Sequence, residues 1–523
     1  MNSNGHRMIR WAAPAAVGLA LWSTPVPAVA QPAAPPPPPP DAPPAQPGRP
    51  PPQAPMADEV QQRFEDAISP QPGGLRADEV ARKAEATSPD VLAKQKAVEA
   101  AAAKVDQAAL LYVPKFSLLA RYVRLSDIEQ GSLGSGGSIV GTTNPPGQPL
   151  PVICNPPGSN NCFVPAVGVD LTFPVLLNMW TLQGSVAIPL SDYLLRISHN
   201  HASATRSRRA AELQALAARL NAQSGARVAF YNWVRAKGGL IVAEEGLQTA
   251  NAHLRDVQVA AQVGSASKAD VLAVEGAVAN TELLVESTRN LVALSEEQLR
   301  VMMHDPPGKT YRIGENVSAA MPPAPPVQLP ALFDEAMRQR LELKAIDESI
   351  AAAREGRKTA SAGRYPRLDA FGDLYHQNPN TRVFPQEEKW TTSWDVGVQL
   401  SWTINDTLTT GAQLDEIDAK ILEAQAQRAQ LEDGVRLQVT KAYSDLRVAQ
   451  IARGTTEREL VSAEEGYRVR RELFRAGRAT STELRVAEQD LIRARLNALN
   501  ARIDLLVADT TLEHALGRDA ARR

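Results

Sequence analysis

The chain has 523 residues, 44% of them apolar and 22% charged, and its 56 Lys and Arg nearly cancel its 58 Asp and Glu. That length can bury a large core; the balanced charge argues against a nucleic-acid binder, which carries a basic excess; and no run of about 18 apolar residues is present to build a bundle of transmembrane helices. Two cysteines exclude a disulfide-built scaffold and a multi-cysteine metal site.

In chain order, residues 1–30 read as a cleavable export signal. Arg7 and Arg10 form a basic start, Trp11 to Trp22 a short apolar core, and Ala28-Val29-Ala30 a small-residue cleavage site. No cysteine follows the core, so a lipoprotein start is not supported. Residues 31–56 are a Pro/Ala linker carrying 14 of the 40 prolines, a composition that stays extended and solvated. Two later spans, Leu190 to Asp305 and Gln386 to Arg523, contain no proline at all. Proline costs about 3 kcal/mol inside a helix, so these spans predict long helices. The first, Asp192 to Val263, would reach roughly 105 Å at 1.5 Å per residue, with Gly225, Gly238 and Gly239 as candidate breaks.

Heptads support the helices. Val271, Val278, Val285, Val292 and Leu299 form one seam, beside Val274, Thr281, Thr288, Ser295 and Met302. Leu484, Leu491, Ala498, Leu505 and Leu512 form another, beside Ala487, Ala494, Ala501, Ala508 and Ala515. A seven-residue repeat imposes a left-handed coiled coil.

The chain is also internally duplicated. Ser88-Pro89-Asp90-Val91 aligns with Arg340-Leu341-Glu342-Leu343 at an offset of 252, and Pro114 aligns with Pro366. Trp180 aligns with Trp394 at 214, and Gly264 with Gly477 at 213. About 38 extra residues fall between Asp127 and Gly168 of the first copy. Each copy reads helix, strand, loop, strand, long helix, Gly break, helix. The expected divisions are a first repeat over 57–310, a Pro-rich connector over 311–330, a second repeat over 331–517 and a tail over 518–523. Strands are expected at Trp180–Leu190 and Trp394–Ile404, with earlier ones near Phe116–Leu125 and Leu368–Tyr375. The first two alternate apolar with polar residues over about eleven positions, the length of a tilted membrane strand. Trp180, Tyr193, Trp390, Trp394 and Trp402 stand near their ends, where an interfacial girdle would lie. Four strands cannot close a barrel and open edges cannot sit in lipid, so several subunits are required.

Cys154 and Cys162 bracket Asn-Pro-Pro-Gly-Ser-Asn-Asn in the long first loop, and export favours a disulfide between them. The seven histidines are scattered, with His199 and His201 two apart on a helix and so not on one face. No H-E-x-x-H, phosphate loop or G-x-S-x-G occurs. The expectation is a protein that is not an enzyme and has no cofactor or metal.

The duplicated order of elements over about 75–517, the prolines Pro114 and Pro366, the turns Ile188-Pro189-Leu190-Ser191-Asp192 and Thr403-Ile404-Asn405-Asp406, the two Gly-x-x-Ser/Thr-x-x-Asp/Glu turns at Gly264 and Gly477 and the closing Leu516-Gly517 together resemble the TolC family of outer-membrane efflux proteins. The resemblance implies a mostly helical homotrimer with membrane β: four strands per subunit in a twelve-stranded barrel in the outer-membrane bilayer, and a coiled-coil tunnel in the periplasm. It also implies a periplasmic adaptor and an inner-membrane pump as partners, and no nucleic acid. The Gly turns would form the periplasmic tip, where a carboxylate ring favours cations. Glu483 takes the acidic position, Asp270 is its counterpart, and Arg478 and Lys268 are candidate partners. Ala479, Phe474 and Val486 replace an arginine, a tyrosine and a second acid of the family pattern. The expected function is a passive exit duct for small molecules such as drugs or metals. A duct for protein secretion, and a soluble periplasmic coiled-coil adaptor, are the alternatives.

Overall fold

The computed structural model describes residues 70–127, 140–141, 153–154, 156–160, 162–163, 167–168, 176–317 and 328–520. The expected export signal, the Pro-rich arm and residues 318–327 of the Pro-rich connector lie outside them.

Eight helices and four long strands carry the architecture of the described residues. The first repeat contributes α1 (Ala77–Thr87), α2 (Pro89–Leu110), β1 (Lys115–Arg124), β2 (Asn178–Ile188), α3 (Ser198–Gln262) and α4 (Lys268–Met303). The second contributes α5 (Leu329–Gln339), α6 (Leu341–Ser361), β3 (Arg367–Asn378), β4 (Thr391–Ser401), α7 (Ile404–Arg475) and α8 (Ser481–Leu516). Residues related by 213 bound the same features: α4 and α8 are both 36 residues long, and both end on a left-handed residue, His304 and Gly517.

The strands form one antiparallel sheet in the order β1-β2-β3-β4, with Lys115 opposite Ala187, Trp180 opposite Asn378 and Arg367 opposite Ser401. β2 and β4 are each eleven residues, but both sit two or three positions earlier than the alternation suggests. The prolines explain this. Pro189 has no N–H and ends β2, and Pro366 cannot donate, so β3 starts at Arg367 and its partner Ser401 closes β4. Leu190 and Ile404 therefore begin helices instead of ending strands. In the inserted segment, two short antiparallel ladders, Val140–Gly141 with Val167–Gly168 and Ile153–Cys154 with Cys162–Phe163, nest one inside the other. Cys154 is disulfide-bonded, and Cys162 is the only other cysteine of the chain.

Below the sheet the chain is helical from Leu190 onward, through a π-turn at Tyr193–Ile197 into α3. α7 alone has 72 residues, roughly 108 Å at 1.5 Å per residue. The glycines of α3 do not break it. They admit neighbours: a Cβ on Gly238 would stand 2.8 Å from Leu499 of α8, and one on Gly246 2.8 Å from Ile492. The seam of α8 is buried along its length, from Leu484 to Leu512, whereas α4 buries only Val274, Val278, Val285, Ser295, Leu299 and Met303.

Three clusters make the core of the helices. One joins α1 (Val80), α3 (Phe230, Trp233, Val234), the end of α4 (Leu299, Met303) and α8 (Leu499, Ile503). Another joins α5, α7, Leu343 of α6 and the end of α8 from Leu505 to Leu516, and a third joins α3 to α6 through Leu213, Leu220 and Leu341. Tyr311 and Ile313, in the stretch expected to be connector, belong to the first cluster. Leu75 pairs with Ile313 in a parallel bridge, and there Gly74 and Gly314 approach so closely that a Cβ on Gly314 would stand 2.1 Å from the Gly74 carbonyl oxygen. Asp305 locks the same region. Burial alone would raise its carboxyl, but hydrogen bonds from Lys83, Lys309 and Tyr311 outweigh it and hold it down at about 2.

Candidate functional site: an apolar sheet face and two tip turns

The sheet carries two unlike faces. On β4, Trp394, Val396, Val398 and Leu400 are each about two-thirds exposed, and the register sets Leu374, Gly372, Ala370 and Leu368 beside them. Phe116, Leu118, Ala120 and Tyr122 of β1 stand opposite Val186, Gly184, Leu182 and Trp180 of β2. The apolar face thus runs across all four strands, and His376, Asn378 and Thr392 enter it only at the rim where Trp180 and Trp390 stand. The opposite face is polar. There the Asp373 carboxylate accepts from Gln183 at 3.0 Å and from Ser185, and Arg382 donates to Asp395. A soluble sheet does the reverse and hides its apolar face. β1 and β4 each pair on one side only, which lipid does not tolerate.

The aromatic side chains singled out from the sequence fall at the two rims. Trp180 packs on Tyr122 with centroids 4.3 Å apart, and Trp390, just before β4, stacks on His376 at 4.9 Å. Trp394 lies nearer that rim on the apolar face. At the helix end, Tyr193 stacks on Tyr112 and donates its hydroxyl to the Tyr112 carbonyl at 3.0 Å, and Trp402 lies just past Ser401. Ten residue steps along β4 span about 33 Å, or roughly 25 Å vertically at the tilt of a barrel strand, the height of an outer-membrane apolar band.

At the far end of the helices lie two turns of one design. Gly264 (φ 79°) and Gly477 (φ 69°) take the left-handed conformation that a Cβ penalises. Behind each, two amides satisfy the last carbonyls of the incoming helix: Gly264 to Ala261 and Ser265 to Ala260, Gly477 to Phe474 and Arg478 to Leu473. Ahead of each, a capping box starts the return helix. The Ser267 hydroxyl accepts from the Asp270 amide, and the Asp270 carboxylate accepts from the Ser267 amide at 2.9 Å. Thr480 and Glu483 repeat this, with the Thr480 amide donating to Glu483 at 2.9 Å.

The two candidate gate acids are thus helix starters. The Thr480 amide, then its hydroxyl, holds the Glu483 carboxyl below the usual range. The Ser267 hydroxyl, then its amide, does the same for Asp270. Both are ionised at neutral pH. One oxygen of each has no partner among the described residues. Lys268 and Arg478 are exposed and form no ion pair with either acid. Phe474 turns inward, edge-on to the ring of His253 at 5.5 Å. His253 was not singled out in the sequence. A charged residue, Glu488, within the apolar face set by Leu484 and Leu491 was the one local sign of it.

Among the described residues no helix is long and apolar enough to cross a membrane, and no group of three or more His, Cys, Asp or Glu is placed to hold a metal ion.

The structure thus sets a small sheet with an exposed apolar face on helices of about 100 Å. Residues 332–518 match the family model described as Outer membrane efflux protein. The likeness in fold to solved structures covers more of the chain. The outer-membrane channel OprN superposes with a TM-score of 0.67 at 16% identity, covering 87% of this chain and 95% of that one. CusC, described with transmembrane channel formation, gives 0.66 at 15% identity, covering 84% and 92%. The open state of the MtrE outer-membrane channel of Neisseria gonorrhoeae gives 0.65 at 15% identity, covering 84% and 89%. No curated protein matches the chain by sequence.

Proposed function

We propose that three copies of this chain form an exit duct across the outer membrane. Each contributes four strands to a twelve-stranded barrel and its long helices to a periplasmic tunnel. The observation that carries this reading is the continuous exposed apolar face on a sheet with two open edges. Only lipid outside and neighbouring copies at the edges satisfy both. The duct is passive and serves small molecules, and a periplasmic adaptor and an inner-membrane pump supply substrate and energy. Export removes residues 1–30 and leaves 31–56 as an arm ahead of the first repeat. The polar sheet face lines the lumen. At the tip, three copies of Glu483 and of Asp270 present ionised carboxylates near the axis and favour cations.

Fractionation tests the reading. The mature protein stays with the outer membrane through salt and alkaline washes and leaves only in detergent; release by osmotic shock would make it a soluble periplasmic scaffold. In planar bilayers, Glu483→Gln lowers cation preference and weakens block by divalent cations. Unchanged selectivity would remove Glu483 from the gate and leave it a cap.

A further inference from the structure

We propose that His253 is a proton-operated latch on the second tip turn. Its ring stands between the two sides of that turn: Phe474, three residues before Gly477, meets its edge, and Ser481, four residues after, reaches its Nε2 at 3.3 Å. Its Nδ1 lies 2.9 Å from the Glu488 carboxylate. The side chains of His253 and Glu488 are 1% and 9% exposed, and the second oxygen of Glu488 is buried without a partner. One side chain of α3 thus holds the end of α7 and the start of α8 together.

The chemistry of the contact depends on one proton. With a neutral ring, Nδ1–H donates to Glu488 and Nε2 accepts from the Ser481 hydroxyl, leaving a buried carboxylate with no opposite charge on it. With a protonated ring both nitrogens donate, Ser481 accepts, and the pair becomes a buried ion pair. Hydrogen bonds between charged partners are the stronger ones, so protonation tightens the turn.

Arginines of α7 and α8 stand near the pair. From α7, Tyr467 is half-buried, and burial pushes its phenol up, so it stays neutral near Glu488; Arg471 and Arg475 share that side, and Arg475 pairs with Asp256 at 3.5 Å. On α8, Arg495 pairs with Glu245 and Glu464. The contacts Gly239–Thr288 and Gly246–Thr281 set α4 so that Val274, buried, is level with His253; Glu275 beside it is exposed. The first tip turn has no such device. At the offset of 213, His253 corresponds to Gly466, Glu488 to Glu275 and Ser481 to Lys268.

The test is hydrogen exchange of the full chain in detergent, corrected for the intrinsic pH dependence of exchange. Between about pH 8 and about pH 5.5, the interval in which histidine side chains in general change charge, amides at the start of α8 gain roughly fivefold protection, the factor expected when a neutral donor becomes a charged one. His253→Gln and Glu488→Gln abolish the gain. His199→Gln, which removes the surface pair with Glu355, keeps it. A gain that persists in His253→Gln, or its absence in the unaltered protein, overturns the latch. The consequence for conduction rests on the duct reading: channel opening in bilayers falls over the same pH interval. A pH response in exchange with flat conductance keeps the latch and removes this end from the gate.

Discussion

The first tip turn, around Gly264, and the second, around Gly477, share their left-handed glycine, their paired carbonyl bonds and their capping box, yet they start helices with different surroundings. α4 leaves the first turn and packs mainly on α3, keeping Leu272, Leu283, Leu294 and Val301 more than half exposed. α8 leaves the second and packs on both α7 and α3. It encloses Leu484, Glu488 and Leu491, and His253 reaches across to it. Duplication copied the turn, and tertiary placement made one return helix central and the other peripheral. The lesson is that local design and local role separate: the same cap that only starts a helix at Ser267 borders a buried polar contact at Thr480.

Truncating one leucine on each return helix separates the two turns most strongly. Leu484, 2% exposed, loses about 2–5 kcal/mol on Leu484→Ala. Leu272, 56% exposed, loses less than about 0.5 kcal/mol on Leu272→Ala. Denaturant unfolding reads both, and equal losses would show that a neighbouring copy buries α4 as deeply as α8. Smaller effects are expected at the glycines. Gly264→Ala and Gly477→Ala each force a Cβ into left-handed backbone with no neighbour within 4 Å, so each costs about 1–2 kcal/mol, equal at the two turns. An excess at Gly477 would reveal coupling to the His253 contact. Ser267→Ala and Thr480→Ala each remove a cap for about 1 kcal/mol, read as a fall in melting temperature.

The smallest effect follows from the cap carboxyls. Both are depressed in the folded chain, so their contribution is present above the ordinary carboxylate value and is lost as pH falls through the depressed one. Melting temperature followed from about pH 5 down to about pH 2.5 should drop more steeply for the unaltered chain than for a chain carrying Asp270→Asn and Glu483→Gln. Parallel curves would mean that the caps do not depend on charge.

The helices and their inward seams were legible because a helix repeats locally. Every heptad position named on α8 from Leu484 to Ala515 is buried or half-buried, and the offset of 213 lands on equivalent residues at both turns. The sheet was legible in length and facing, while its ends were displaced by two or three residues, since pairing stops where a partner strand lacks a donor. Tyr311 and Ile313 looked like connector because their burial depends on Leu75 and Trp233, far away in sequence. Asp270 and Glu483 were singled out as candidate gate acids, but their capping role follows from an amide three residues away whose direction the letters do not show.

By itself the sequence determined the duplication, the long coiled coils, the alternating strands and the glycine turns, because each follows from short-range periodicity, missing prolines or the freedom of one residue. The tertiary structure alone decided which return helix is central, where the strands end, and that His253, Glu488 and Ser481 meet. Those outcomes depend on pairing between elements distant in sequence: Arg367 meets Ser401 across two strands, and His253 meets Glu488 and Ser481 more than two hundred positions away only when the helices settle into one register.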